Sequence, residues 1–248
     1  MKNPAIKKTA AALLALTVWQ AAAMIVGQNL ILASPVQAVN RLASLALTQS
    51  FWGRVWFSFA HIAGGFAAAL LAGTALGILA GRFPLLETLL RPYMLTIKSV
   101  PVVSFIIMLL WFLADSLSVV ISFLMVLPVI YTNVLSGVRS VDPKLTEAAD
   151  VFRIPFSRRL KYLILPAVRP YLLSGCGIGL GLAWKAGIAA EVISIASGSM
   201  GEALYEAKIY FSTSDLFAWT IAIVLLSLAF EKLAMLILRK LLGGLEGD

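Results

Sequence analysis

Long apolar runs separated by short polar stretches fill this chain almost from end to end. A hydrocarbon core about 30 Å thick takes roughly 20 apolar residues of α-helix to cross. Runs of that kind occupy residues 9–32, 55–80, 93–113, 117–135, 171–193 and 216–238. They predict an all-α membrane protein with six transmembrane helices. The first run follows Lys2, Lys7 and Lys8, the layout of a signal peptide with a small-residue cleavage site near Ala33. It is longer than a signal core, so it reads as an uncleaved span. Residues 35–47 place Val36, Val39, Leu42, Ala43, Ala46 and Leu47 at helical spacing, the pattern of an amphipathic helix on the outer membrane surface. The third span carries Pro101 inside it, and a tight link at Asp115 and Ser116 leads to the fourth. One long polar interruption, residues 136–166, divides the spans, and a mixed loop, 196–215, separates the last two.

Six spans bring both termini to one side. All but four of the 20 basic residues, Arg41, Arg54, Lys185 and Lys208, fall on that side too. Lysine and arginine in short loops mark the cytoplasmic face, so the termini and the long polar loop are expected there. Composition agrees: 60% of residues are hydrophobic and 13% charged, against about half and a quarter in soluble domains. The formal charge of +8 follows from this loop asymmetry, and no basic-aromatic stripe on a polar segment points to nucleic acid. The expected division is residues 1–52 (first span and outer amphipathic segment), 53–240 (membrane-spanning core, with the loop at 136–166) and 241–248 (cytoplasmic tail).

Glycine recurs every four residues at Gly73, Gly77 and Gly81, and in the pairs Gly175/Gly179 and Gly177/Gly181. Such spacing bares one helix face for close approach by a neighbour, within one bundle or at a dimer seam.

The polar loop is the most informative stretch. Asp142-Pro143 is a strong helix start, a capping carboxylate with proline at the first helical position. Leu145, Ala148, Ala149 and Phe152 then form a narrow apolar face. This helix should end before Pro155, which restricts Ile154. A second short helix follows, with Phe156, Leu160, Leu163 and Ile164 apolar and Arg158, Arg159 and Lys161 polar, stopped by Pro166. Two consecutive amphipathic helices suit a loop that packs one face on the bundle and offers the other to a partner.

Glu147-Ala148-Ala149, followed at the right distance by Leu165-Pro166, resembles the EAA loop of permeases in binding-protein-dependent ABC importers. Ser136-Gly-Val-Arg-Ser-Val-Asp-Pro143 is similar to the segment leading into that loop. Residues 175–191, with Gly181-Leu-Ala-Trp184 and Ala190-Glu191, resemble the fifth span of the nitrate/sulfonate/taurine branch, as do Gly77-Ile-Leu-Ala-Gly81 and Leu110-Trp-Phe112. The resemblance covers residues 54–238 and implies the type I ABC importer permease architecture with a cytoplasmic EAA coupling loop. Two positions depart from the pattern. Arg153 stands where the family usually has glycine, so the break between the short helices should rest on Pro155. Leu113 stands where glycine commonly follows the Trp-Phe pair.

The resemblance implies how such a chain works. The first short helix is a coupling helix seated in a groove of a separate ABC ATPase subunit. Glu147 supplies a contact or cap, Ala148 and Ala149 permit close approach, and Phe152, Arg153, Leu165 and Pro166 complete the loop. ATP and Mg bind the partner ATPase, and this chain, which has no GxxxxGK phosphate loop, needs no cofactor of its own. An extracytoplasmic solute-binding protein delivers the substrate, and the permease is usually a homodimer.

Charges inside spans are costly and often functional. Lys185, beside Trp184 in the fifth span, can attract an anionic substrate with Trp184 shaping the wall. Alternatively it snorkels, or pairs with an acid such as Glu191, although six positions separate those two. Glu191 reads as a structural residue or part of an outer gate. His61 and Cys176 are single in the chain, and both read as packing residues. No catalytic pair or metal cluster suggests an intramembrane enzyme. A secondary transporter or channel would call for repeat symmetry or several pore-lining charges. The substrate class stays open between small anions such as a sulfonate or nitrate and neutral heterocycles.

Overall fold

The computed structural model describes residues 4–28, 31–113 and 116–243. Lys2, Asp115 of the predicted link and residues 244–248 of the predicted tail lie outside them. Every regular element among the described residues is helical. In order these are α1 (Pro4–Val26), α2 (Pro35–Ala46), α3 (Gln49–Arg82), α4 (Pro84–Ser99), α5 (Val102–Leu113), α6 (Leu117–Arg139), α7 (Pro143–Val151) and α8 (Phe156–Arg159). A π-turn (Leu160–Ile164) leads into α9 (Leu165–Ser194), and α10 (Met200–Ile209) and α11 (Thr213–Gly243) follow. Five segments are each long and apolar enough to cross a membrane, and six if α4 and α5 count as one bent span.

The core is a three-helix stack in which α6 lies between α3 and α9 and packs on both. Small residues set the separation. A Cβ on Gly73 would sit 2.9 Å from the Ile130 Cβ, and one on Gly77 would sit 2.8 Å from the Val134 Cβ. Neither site admits a side chain without moving α6. Gly175 and Gly179 perform the same service where α9 meets Asn133 and Val126 of α6. These glycines therefore act within one bundle. Gly177 and Gly181 have no neighbour near the missing Cβ, so their face of α9 is open.

The end of the bundle opposite the α6–α9 loop is tied by polar contacts. Ser34 caps α2 in a reciprocal capping box with Gln37. Arg41 of α2 pairs with Asp215 at the start of α11, and Arg54 of α3 reaches Glu206 of α10 at 2.8 Å. The amphipathic α2 predicted from periodicity is thus anchored to the bundle.

Four expectations need correction. The first span ends at Val26, six residues early, where Gly27 takes φ +62°. The third span is not one rod. Pro101 holds Val100 in an extended conformation, and α4 and α5 meet at a 99° bend. Pro166 does not stop the second loop helix. The π-turn re-registers the backbone ahead of Pro166, so Phe156 to Ser194 run on as one continuous 39-residue helix. The loop between the last two spans is mostly helical, because Ser199 caps α10 through the Glu202 amide at 2.9 Å.

Candidate functional site

The loop between α6 and α9 is built from its caps inward. Asp142 accepts from the Lys144 amide at 2.9 Å and Pro143 occupies the first turn, so α7 begins where the sequence predicts. At its other end Arg153 takes φ +51°. The Arg153 amide donates to the Asp150 carbonyl at 3.0 Å and the Ile154 amide to the Ala149 carbonyl at 2.9 Å. These two bonds are those of a Schellman ending, in which the residue past the cap turns left-handed. Arg153 thus adopts the conformation for which glycine is the usual choice, and the break rests on it as well as on Pro155.

A guanidinium locks that ending. Arg159, one turn into the following helix, donates from Nε to the Ile154 carbonyl at 2.7 Å and from Nη2 to the Ala149 carbonyl at 2.8 Å. Its Nη1 pairs with the Asp150 carboxylate. One planar fork thereby satisfies three acceptors at the C-terminus of α7 and sets the angle between the two short helices. In the sequence Arg159 is marked only as a polar position of the second short helix. Its distance of nine residues from Asp150 gives no periodic signal, because the intervening turn is irregular.

The clasp faces inward and leaves the apolar side of α7 outside. Ala149 is buried, while Leu145, Val151 and Phe152 are 53%, 78% and 78% exposed. Glu147 and Ala148 are exposed beside them, and Leu165 and Pro166 follow the π-turn, half-buried and exposed respectively. The predicted loop residues therefore divide between one inward alanine and an outward face formed by Leu145, Glu147, Ala148 and Phe152.

The intramembrane residues are not brought together. Trp184 is buried, donates from Nε1 to the Ile223 carbonyl of α11 at 3.1 Å, and lies against Phe230. Lys185 points to the opposite side and is exposed. It shares the open face of α9 with Ser174, Ile178 and Leu182, and makes no hydrogen bond or ion pair among the described residues. Glu191 is fully buried. Its Oε2 accepts from Ser58 Oγ of α3 at 2.6 Å and from the Gly201 amide of α10 at 3.2 Å. Ser58 Oγ in turn accepts from the Met200 amide at 2.9 Å. Glu191 and Ser58 therefore hold the first turn of α10 onto α3 and α9. Ser58, a lone serine in an apolar run, gave no signal in sequence.

Elsewhere His61 stacks on Phe57 with Nδ1 2.8 Å from the Phe57 carbonyl, and Cys176 is a buried free thiol. Among the described residues no three histidine, cysteine, aspartate or glutamate side chains gather as metal ligands would.

A helical bundle of about six candidate spans, with a clasped helical loop presenting an exposed apolar face, defines a multi-pass membrane protein with a free helical loop outside its spans. Similarity to known proteins specifies the kind. The chain belongs to the family of binding-protein-dependent transport system inner membrane components, whose family profile matches residues 73–243. It is 31% identical over 215 residues to the protein assigned as aliphatic sulfonates transport permease SsuC of Bacillus subtilis (strain 168), covering 86% of this chain and 77% of that one. It is 28% identical to the taurine transport system permease protein TauC of Escherichia coli (strain K12), covering 87% and 81%. With the nitrate import permease protein NrtB of a Synechocystis strain it shares 28% identity, covering 76% and 72%. This chain is accordingly the membrane-spanning permease subunit of a bacterial ABC importer in the nitrate/sulfonate/taurine branch.

Proposed function

We propose that the chain works as a homodimer, imports a small anion, and takes its drive from a separate ATPase gripping α7. The observation that carries this reading is the exposed apolar face of α7 on a rigidly clasped loop. Leu145, Val151 and Phe152 would stay in water at a cost of roughly 25 cal/mol per Å² of apolar surface, so a partner groove is their natural place. Glu147 stands beside them as a polar contact for the groove rim, and Ala148 lets the helix sit deep. Arg153 supports the turn that aims the face, while Leu165 and Pro166 join the loop to α9. ATP and Mg belong to that partner, and this chain performs no chemistry on the solute.

The anion reading rests on Lys185. An unpaired ammonium on the open face of a membrane helix is costly unless it faces water or a counter-charge. Gly181, one turn away on the same side of α9, leaves room for a second copy, whose Lys185 would face the first across a central path. Trp184 fixes the rotation of α9 from behind, and Glu191 holds the outer end through α10. Relatives named for aliphatic sulfonates, taurine, nitrate and bicarbonate suggest the size and charge of the solute. An extracytoplasmic binding protein would deliver it, and the loop end, with both termini, would face the cytoplasm.

The test is purification of the tagged chain from its native membrane in mild detergent. An ATPase should accompany wild type, and Phe152→Glu should lose it while the chain remains monodisperse. In the reconstituted complex, taurine and nitrate serve as probes, and Lys185→Gln should weaken uptake of whichever is carried. A chain that moves solute without any ATPase would overturn the coupling reading. Unchanged anion uptake by Lys185→Gln would remove that residue from the path.

A further inference from the structure

At the loop end of α3 a cavity of about 500 Å³ opens between α3, α6 and the clasped loop. Its walls are largely apolar, with Ile78, Val138, Leu163 and Ile164 among them. Two guanidiniums line it, and they differ in kind. Arg159 is consumed by the clasp, and Asp150, the acidic residue of the lining, is consumed with it. Arg82 is not consumed. It lies 4.1 Å from the Phe156 ring centroid and 5.5 Å from that of Phe83, and among the described residues no acid or carbonyl accepts from it. Stacking on a ring face uses the plane of a guanidinium and leaves its edge, with five N–H donors, available.

Location narrows what those donors meet. Arg82 is the last residue of a membrane-spanning helix. After Phe83 the chain turns into α4, whose Leu85, Leu89 and Tyr93 are 74%, 56% and 68% exposed while Glu87 is held by Arg139. α4 meets α5 at a 99° bend, and its exposed apolar side chains stand where lipid reaches the end of the bundle. Arg82 therefore sits at headgroup depth, at the end of a span, beside a pocket whose wall is part apolar and part polar.

We infer that this cavity is a binding site for the phosphate headgroup of an anionic phospholipid. Arg82 Nη atoms bind the phosphate, the Phe156 and Phe83 rings hold the guanidinium flat, and the first part of an acyl chain lies on the apolar wall. A free phosphate would find the same cation but waste the wall, which favours the lipid. The site ties Phe156, the first residue after the clasped turn, to the membrane surface. The orientation proposed above enters only in naming the cytoplasmic leaflet as the source.

Native mass spectrometry of the full chain with its co-purifying subunits tests this, using phosphatidylglycerol and phosphatidylcholine of matched acyl chains. Wild type should retain phosphatidylglycerol in preference, and Arg82→Ala should weaken that retention about fivefold, the effect of one basic residue on an anionic headgroup. Arg82→Lys should keep most of it, and Lys161→Ala, a nearby charge outside the cavity, should change nothing. Equal retention of both lipids, an equal loss in Lys161→Ala, or displacement by millimolar inorganic phosphate would overturn the site. The readout involves neither ATP hydrolysis nor solute uptake, so its failure would leave the permease reading untouched.

Discussion

Replacing Arg159 by alanine removes one side chain and three contacts, which makes it the sharpest probe of the coupling loop. The Arg159 side chain is 23% exposed and that of Asp150 67% exposed, so their ion pair is largely screened and contributes about 0.5 kcal/mol. The two bonds to the Ala149 and Ile154 carbonyls come from a charged donor at a half-buried turn and contribute about 1 kcal/mol each after solvent competition. The sum is about 2.5 kcal/mol, or roughly sixtyfold in the equilibrium for opening the turn, at tenfold per 1.4 kcal/mol. Hydrogen exchange reads that equilibrium directly. The Phe152, Arg153 and Ile154 amides, which donate to Ala148, Asp150 and Ala149 carbonyls, should lose about sixtyfold in protection. Amides in the middle of α6 should not change. Arg159→Lys retains the charge but cannot span three acceptors, so it should fall near alanine. Exchange altered less than twofold by Arg159→Ala would refute the clasp.

Three further outcomes follow from the same geometry. Arg153→Gly should tighten the loop: a left-handed non-glycine residue costs roughly 1–2 kcal/mol and glycine loses about 0.5–1 kcal/mol in chain entropy. Exchange at the Ile154 amide should therefore slow by about threefold, a net of ~0.7 kcal/mol, and faster exchange would contradict the reading. Gly77→Val should destabilise the α3–α6 pairing by about 1–3 kcal/mol through overpacking, seen as a lower melting temperature in detergent. Val134→Ala in the same chain should recover much of the loss, since a Cβ at position 77 meets the Val134 side chain. Ser58→Ala orphans the Met200 amide and one bond of Glu191, at about 1–3 kcal/mol. Limited proteolysis should then cut near α10 faster, and an unchanged cleavage pattern would show that the serine does not hold that helix.

What the sequence made legible is what local chemistry decides. Apolar run length placed the second, fourth, fifth and sixth spans, and Asp142-Pro143 placed the start of α7 within a residue, because a cap and a pre-set φ act on their own neighbours. Tertiary matters were less legible. Both sides of α9 are made of small and apolar residues, so periodicity could not say whether Trp184 or Lys185 faces inward; the indole bond to α11 decides it. Pro166 reads as a stop in the sequence, and the π-turn that lets the helix run on ahead of it leaves no periodic signal. Pro101 broke its span outright, since Val100 has no such relief. α10 carried a signal that composition obscured: Ser199 followed three residues later by Glu202 is a helix start, inside a stretch too mixed to show a clear stripe.

The unbroken helix from Phe156 to Ser194 has a mechanical consequence. At 1.5 Å per residue its 39 residues measure about 58 Å, nearly twice the ~30 Å of hydrocarbon they cross. Close to half of the rod therefore stands clear of the hydrocarbon as a handle, with the α7 turn bolted to its end by Arg159. Torque applied there cannot dissipate in a floppy joint. It would pass along the whole shaft and, on the coupling proposed above, turn Lys185, partway along, with it.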